Sequence, residues 1–414
     1  MNKIITAIST ALITLSMLSP SALAMEKVEI EETSSNDGTL IVGKDTNFID
    51  VSSSHWAYSV IQSAVKKGYV EGYADSTFKP DRSVSRAEFI TMAVRALGIE
   101  APEQNKVWYD GFIKAATDAG IYENQFTEAQ YSKAIPREQM ARLAVKAAGI
   151  KLYKRTEFND AGYMYLATKN GLVNGMGNGR VAPEGLTTRA QAISVIERIL
   201  AIKNGQQLTP ADQLTQENAE FAWHHTNMYT VMGDYLDVEN PRRGLSPGPH
   251  KLETKDGLYS GEMHKLIVVD LEDNKAIQRY NVDLENWRWN AADKANYSIK
   301  DYRNSFLFIL ESSTVSVDRT KYGDFGYLPY NVFTSYEDNT FQEYVDGQLN
   351  SPSHVLDKRD IKKEFSPTVP TIRRPIFIVS KEYMSDYLWI EFYTPAIPGV
   401  GQYQREMILH INLR

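Results

Sequence analysis

The chain is 414 residues long, carries a formal net charge of −7 and is 43% hydrophobic. At about 150 residues per domain this length predicts two or three domains, and the hydrophobic fraction is enough for packed cores. The mild acidity argues against nucleic acid and anionic membranes as main partners, so an anionic ligand would need a local basic site. The chain has no cysteine, which excludes disulfides and leaves only His and carboxylates as metal ligands.

The N-terminus has the features of an export signal. Lys3 supplies a positive charge, residues 4–18 are apolar, and Ala22, Leu23 and Ala24 fit a cleavage site. The apolar stretch is shorter than the roughly 20 residues that a membrane span needs. We therefore predict a cleaved signal peptide over residues 1–24, followed by a polar segment over residues 25–44. No later stretch is apolar enough to cross a bilayer.

An internal repeat occupies residues 45–200. Residues 64–72 recur 103 residues later as 167–175, and residues 85–88 (Ser-Arg-Ala-Glu) recur at the same offset as 188–191 (Thr-Arg-Ala-Gln). Self-similarity at a fixed period indicates stacked units that share one core.

A middle copy lies halfway between these two. Trp108 stands 52 residues after Trp56, and Arg137 stands 51 residues after Arg86. The three copies are bounded by residues 45–98, 99–150 and 151–200.

Each copy reads as two helices joined by a turn-rich loop. In the first copy the first helix is expected at about residues 55–67, from its apolar stripe. The second helix begins after Ser85, and Glu88 completes a capping box. Thr188 and Gln191 form the same box in the third copy. One such unit cannot bury its stripe alone, so the three should pack together.

These motifs resemble the S-layer homology family, whose signature joins Phe-x-Asp-Val, His-Trp-Ala, a Gly-hydrophobic-x-Gly segment, Phe-x-Pro and Thr-Arg-Ala-Glu. The third copy is shorter at its front, where residues 158–160 stand in. The second copy diverges most, because it lacks the Phe-x-Pro loop and has Pro136 in place of the capping hydroxyl. The first copy carries the complete set, at residues 48–51, 55–57, 68–72, 78–80 and 85–88.

The resemblance implies both a fold and a function. It implies an all-α, three-pronged domain with pseudo-threefold symmetry, whose grooves bind an anionic secondary cell-wall polysaccharide that often carries pyruvate ketals. Three N-terminal copies without cysteine look like a surface protein of a Gram-positive bacterium.

Arg86, Arg137 and Arg189 each stand in the first turn of a helix. This is the unfavourable end of the macrodipole for a cation, but free N–H groups and a guanidinium together make a strong anion site. The first and third copies are expected to supply the working grooves, with Arg137 less important. The alternative is that each arginine pairs with Glu88 or with a carboxylate of a neighbouring repeat.

Four further candidates have two interpretations each. Trp56 and Trp108 can stack on sugar rings or belong to the core stripe of their helices. Asp50 and Asp160 can bind sugar hydroxyls or cap a turn.

Two glycines, Gly72 and Gly175, can allow a close backbone approach to a ligand or only provide a positive φ. The full candidate set for polysaccharide binding is Arg86, Arg189, Arg137, Trp56, Trp108, Asp50, Asp160, Gly72, Gly175, Glu88 and Gln191.

The C-terminal part differs in composition. After a linker over residues 201–215, residues 216–414 are predicted to form a mostly-β domain, in the form of a sandwich, with a helical entry at 216–236. Asp273 and Asn274 are expected at a hairpin tip. This boundary predicts that residues 25–204 alone bind cell walls. The expected strands are 265–271, 276–282, 305–311, 375–380, 387–393 and 406–413.

Two motifs in this part suggest chemistry but do not support it. Residues 244–248 match G-x-S-x-G, yet Pro247 lacks the N–H that the oxyanion hole needs, so Ser246 is not expected to be a nucleophile. His224 and His225 are adjacent and point about 100° apart on a helix, so they cannot share a metal. We therefore predict no catalytic residue, metal or cofactor.

The sequence as a whole predicts a multidomain, secreted protein anchored non-covalently to wall polysaccharide, with the C-terminal domain displayed for a binding or structural role. A wall-anchored enzyme acting on polysaccharide or peptide, and a subunit of an S-layer lattice, are the alternatives. The lack of a catalytic constellation favours the first over the second.

Overall fold

A computed structural model of the chain describes residues 47–103, 107–239, 241, 244, 250–290, 296–322, 330–334, 354–357, 376–384, 387–394 and 405–413. All of them lie in one compact unit, Val42–Arg414. The predicted signal peptide (1–24) and polar segment (25–44) lie outside the described residues.

The N-terminal part is helical, with two helices in each repeat. The second helices of the first and third repeats begin with the predicted capping boxes, in which Ser85 and Thr188 accept from the N–H groups of Glu88 and Gln191. The middle one follows Pro136 without a side-chain cap. The helices are α1 (Tyr58–Lys66), α2 (Arg86–Ala96), α3 (Asp110–Asp118), α4 (Arg137–Ala148), α5 (Asp160–Lys169) and α6 (Arg189–Lys203).

The three repeats meet at a closed cycle of backbone hydrogen bonds just before the second helices. The Val84 N–H donates to the Thr187 carbonyl (3.0 Å), the Thr187 N–H to the Ile135 carbonyl (3.0 Å), and the Ile135 N–H to the Val84 carbonyl (2.9 Å). All three residues are fully buried. Because each residue both donates and accepts, every repeat is held by the other two.

The next helices depart from the predicted single entry helix at 216–236. The chain forms α7 (Gln213–His224) and α8 (Met228–Val231), separated by His225 in the left-handed conformation (φ 62°). The predicted linker is short, because α6 runs to Lys203, and the connection is fixed where the Ala211 N–H donates to the Thr168 carbonyl (2.9 Å).

Helix α7 packs against the third repeat. Trp223 is buried, stacks on Phe158 (ring centroids 4.4 Å apart) and Tyr165 (5.6 Å), and donates its indole N–H to the Glu157 carbonyl (3.0 Å). Gly162 permits this contact, since a Cβ there would stand 2.7 Å from the indole nitrogen.

The C-terminal part contains two antiparallel sheets. Their strands are β1 (His250–Glu253), β2 (Tyr259–Asp270), β3 (Trp287–Asn290), β4 (Asn296–Ser298), β5 (Ser305–Val317), β6 (Tyr330–Thr334), β7 (His354–Asp357), β8 (Ile376–Ser380), β9 (Tyr387–Tyr393) and β10 (Arg405–Asn412). The larger sheet has the order β1-β2-β5-β8-β7-β3-β4 and the smaller β10-β9-β6.

Both faces of the large sheet are buried at its centre. In β2, Leu266 and Val268 join the core that includes the helical repeats, whereas Ile267 and Val269 join a second cluster on the opposite face. This alternation follows from the twofold side-chain period of a strand.

One predicted strand and its hairpin tip are wrong. Residues 276–282 do not form a strand, because helix α9 (Asn274–Arg279) lies there. The Asp273 side chain accepts from the Lys275 N–H (2.9 Å) and so caps that helix instead of forming a hairpin tip. A short apolar run fits a helix or a strand equally well, and the capping residue decided between them. A last short helix, α10, covers Arg319–Tyr322.

Among the described residues, no helix combines the length and the apolar character needed to span a membrane.

Candidate functional site

The first N–H groups of each second helix are bonded to the next repeat. In α2, the Arg86 N–H donates to the Lys133 carbonyl (3.1 Å) and the Ala87 N–H to the Tyr131 carbonyl (3.0 Å). These donors are therefore not free for an external anion. The same pattern joins Arg137 to Gly185, Glu138 to Pro183, Arg189 to Arg82 and Ala190 to Pro80.

The guanidinium groups of the candidate arginines also bind protein atoms. Arg86 is 6% exposed and donates to the Gln139 side chain (2.9 Å) and to the Ala134 carbonyl (3.0 Å). Arg137 is 5% exposed and donates to the carbonyls of Val181 (3.2 Å) and Asn174 (3.0 Å).

Arg189 is half-buried and is held in the same way. It donates to the Glu71 carbonyl, and its guanidinium lies 4.6 Å from the centroid of the Phe78 ring. Desolvation by burial lowers the pKa of Arg189, as it does for the other two arginines. The three side chains tie each repeat to its neighbour.

The buried guanidinium groups of Arg86 and Arg137 favour a structural role for both; ligand binding by Arg86 and Arg189, with Arg137 less important, stays a prediction. The alternative interpretation, in which a carboxylate pairs with each arginine, does not describe Arg86 and Arg137, because their acceptors are backbone carbonyls and one side-chain amide. A carbonyl accepts the charged donor without adding a second buried ion.

Glu88 pairs with a residue outside the candidate set. It bonds Arg82 (2.5 Å) and accepts from the Ser85 N–H (2.7 Å), which completes the capping box. Burial raises the pKa of Glu88, but these two partners outweigh it, and the net shift is downward. Gln191 serves its box in the same way, accepting from the Thr188 N–H (3.1 Å).

The two tryptophans are exposed, which excludes the core interpretation. Trp56 is 63% exposed and Trp108 is 61% exposed. The predicted helix over residues 55–67 begins only at Tyr58, and α3 begins at Asp110, so both indoles precede the buried helical stripe.

Trp108 borders a groove between the first and second repeats, which we name the first groove. Its volume is about 340 Å³. Trp108 meets Tyr109 edge to face (centroids 5.4 Å apart), and Tyr109 packs on Tyr131 (5.2 Å). The lining residues are Arg82, Ser83, Ser85, Ala87, Glu88, Trp108, Tyr109, Ser132 and Ala134.

Sequence reasoning missed Arg82 as a groove residue. It stands three positions before the capping Ser85, and Lys133 stands 51 residues later. This recurrence of a basic residue at equivalent positions was the available signal.

The candidate aspartates have structural partners. Asp50 accepts from the N–H groups of Phe78 (2.8 Å) and Lys79 (2.7 Å), so it holds the turn of its own repeat. Asp160 begins α5 and pairs with Arg142 (3.1 Å).

The candidate glycines allow close packing within the protein. A Cβ at Gly72 would stand 2.2 Å from the Phe48 ring, and one at Gly175 would stand 2.4 Å from the Thr215 hydroxyl. Neither glycine has a positive φ. The two glycines therefore allow a close approach of protein groups: the Phe48 ring packs on Gly72, and helix α7 packs on Gly175.

The adjacent histidines lie at the end of α7. His224 is buried 3.6 Å from Glu220, and the His225 ring is 3.0 Å from the His264 carbonyl. Among the residues that the structure describes, no group of three or more His, Asp or Glu could hold a metal ion. Ser246 lies outside the described residues.

Comparison with known proteins relates the first and third repeats to a family. The family model described as "S-layer homology domain" matches residues 47–90 and 159–193, which are parts of the first and third repeats. The middle repeat is outside the matched residues but makes the same helix-start contacts as the other two.

Several curated proteins are similar to this chain. The exoglucanase XynX of Acetivibrio thermocellus is 31% identical over 186 residues, covering 40% of this chain and 17% of that protein. An amylopullulanase of Thermoanaerobacterium thermosulfurigenes is 33% identical over 178 residues, covering 38% and 10%. The surface-layer 125 kDa protein of Lysinibacillus sphaericus is 27% identical over 303 residues, covering 64% and 25%.

The chain thus spans a quarter or less of the length of these relatives. The chain is a protein with S-layer homology domains.

Proposed function

We propose that this chain is an exported cell-surface protein of a Gram-positive bacterium, retained on the wall when its repeats bind an anionic secondary cell-wall polysaccharide. The observation that carries the proposal is the first groove, where the exposed Trp108 stands beside Arg82. We interpret the cycle of inter-repeat bonds as a pseudo-threefold domain, and the two sheets behind it as a sandwich.

The first groove has the chemistry that a sugar needs. The indole face of Trp108 offers an apolar platform, and the hydroxyl groups of Ser83, Ser132 and Tyr109 line the groove beside it. A volume of about 340 Å³ lies at the lower end of the range of small-ligand sites.

Arg82 is the groove's cation. Its side chain is 38% exposed, and it shares its charge with Glu88 at 2.5 Å. Unlike Arg86, it has solvent access, so a carboxylate of the polymer, such as a pyruvyl group, could reach its remaining donors. An arginine offers several N–H donors in a fixed fork, which suits a carboxylate.

The test is binding of isolated cell walls and of purified wall polysaccharide by the full mature chain. Trp108→Ala should weaken binding roughly tenfold, whereas Trp108→Phe, which keeps an aromatic face, should lose less. Arg82→Ala should weaken binding of the pyruvylated polymer but not of the polymer after chemical removal of pyruvate. Unchanged affinity in both alanine variants would contradict the proposal.

An S-layer lattice subunit is the second candidate function. The match to the surface-layer 125 kDa protein covers 64% of this chain, which exceeds the extent of the repeats and must include part of the C-terminal region. Electron microscopy of the purified chain on wall fragments would detect a two-dimensional array, and isolated particles alone would exclude this candidate.

A wall-anchored enzyme is the third candidate. It rests on the names of the two glucan-active relatives, whose matches cover 40% and 38% of this chain. This candidate assigns the activity to residues 205–414. A screen of the full chain for activity on cell-wall polysaccharides would test it.

A further inference from the structure

The three junctions between repeats can be compared position by position, because the same hydrogen bond recurs in each; the residues at positions equivalent to those of the first groove define the second and third grooves. The Ala87 N–H donates to the Tyr131 carbonyl in the first groove, and the Glu138 N–H donates to the Pro183 carbonyl (both 3.0 Å) in the second groove, between the second and third repeats. The Ala190 N–H donates to the Pro80 carbonyl (3.0 Å) in the third groove, between the third and first repeats.

The second groove carries carboxylates where the first has small or aromatic groups. Glu138 occupies the position of Ala87. Because Pro183 and Tyr131 are the equivalent acceptors, the residue after each is also equivalent, so Glu184 occupies the position of Ser132. The aromatic pair at 108–109 is replaced by Asn159 and Asp160.

These three carboxylates lie close enough to influence one another. Burial and the nearby charges of Asp160 and Glu184 raise the pKa of Glu138. Arg142 offsets the charge of Asp160 (3.1 Å), because its other partner Glu123 (3.2 Å) also pairs with Lys146 (2.5 Å).

Lys133 takes the place of Arg82 in the second groove. Over the nine lining positions, the first groove holds one basic and one acidic residue, Arg82 and Glu88, so its formal charge is zero. The equivalent positions of the second groove hold Lys133 against three carboxylates, and although Arg142 pairs with one of them, Asp160, the balance stays negative.

The third groove resembles neither. It keeps an exposed Trp56 and adds Leu186, which is 53% exposed. Gly185 occupies the position of Arg82, and Asp81 occupies that of Ser132. None of its positions equivalent to the lining of the first groove holds a basic residue, and the nearby Arg189 guanidinium is held by the Glu71 carbonyl and the Phe78 ring.

We infer that the anionic groups of the ligand bind the first groove alone, and that Glu138, Asp160 and Glu184 exclude them from the second. This inference rests on the proposed function, because it specifies which groove takes the charged polymer. Its physical basis is repulsion between like charges across a partly desolvated groove, which discriminates against the wrong ligand.

The test transfers the carboxylate of the second groove into the first and measures binding of a synthetic pyruvylated monosaccharide by calorimetry. Ser132→Glu should weaken binding about tenfold or more relative to the matched variant Ser132→Gln, which has the same size without the charge. The double variant Glu138→Ala/Glu184→Ser should bind at the first groove with unchanged affinity.

Three outcomes would overturn the inference: equal affinities of the Ser132→Glu and Ser132→Gln variants, loss of affinity in the double variant, or two equivalents of ligand bound with one affinity by the unmodified chain. Melting temperatures would identify any variant that fails to fold. If the unmodified chain bound neither this sugar nor cell walls, the proposed function itself would fail instead.

Discussion

The docking of α7 on the third repeat gives a prediction whose size can be worked out from the contacts. Trp223 is 1% exposed and lies between Phe158 and Tyr165. Trp223→Ala removes both stacking contacts and opens a cavity beside Gly162, which has no side chain to fill it. The lost indole N–H matters less, because Glu157 is exposed and water can bond its carbonyl.

A buried Trp→Ala change costs about 3–5 kcal/mol. With about 2–4 °C per kcal/mol for a large domain, the melting temperature should fall by roughly 6–20 °C. The measurement is scanning calorimetry of the full chain.

Trp108→Ala is the matched control. It makes the same chemical change at a side chain that is 61% exposed, so its melting temperature should stay within about 2 °C of the unmodified chain. If the two variants melted at the same temperature, α7 would contribute little to the third repeat and our account of the packing would be refuted.

The same contacts move the expected boundary of the wall-binding part. Residues 25–204 were predicted to suffice, but a chain ending there would expose the surface of α5 that Trp223 covers. We expect a fragment ending at residue 239, after α8, to melt cooperatively and a fragment ending at 204 to melt lower or not cooperatively.

Three further predictions concern buried positions. Arg137→Ala should destabilise the chain by about 1.5–3 kcal/mol in urea denaturation, because two carbonyls lose a charged donor, while wall binding by the folded variant persists; weaker binding without destabilisation would contradict this. Gly175→Ala should lower the melting temperature because its Cβ would stand 2.4 Å from the Thr215 hydroxyl; an unchanged melting temperature would show that α7 can shift away at little cost in stability. Burial raises the pKa of Glu220 from 4.5 to about 8, so the folded state keeps a proton that the unfolded state releases between these values. The contribution of Glu220 to the free energy of unfolding should be complete below pH 4.5 and should fall by about 1.4 kcal/mol per pH unit as the pH rises to 8. The variant Glu220→Gln should remove this slope.

Local patterns in the sequence were sufficient for the repeats and for five of the ten described strands, β2, β5, β8, β9 and β10. The capping boxes at Ser85 and Thr188 formed as predicted, because a cap involves residues three apart in the chain. The strand expected at residues 387–393 was also correct, and the family model confirmed the resemblance on which the first and third repeats were identified.

Only the tertiary structure decided what the repeated side chains contact. The sequence located Arg86, Arg137 and Arg189 at helix starts, but their acceptors are carbonyls more than 30 residues away, which no local pattern specifies. Trp56 fitted a helical stripe by spacing, yet α1 begins two residues after it and leaves it exposed. The physical reason is that spacing along the chain determines which face a residue shares, whereas burial depends on which distant element covers that face.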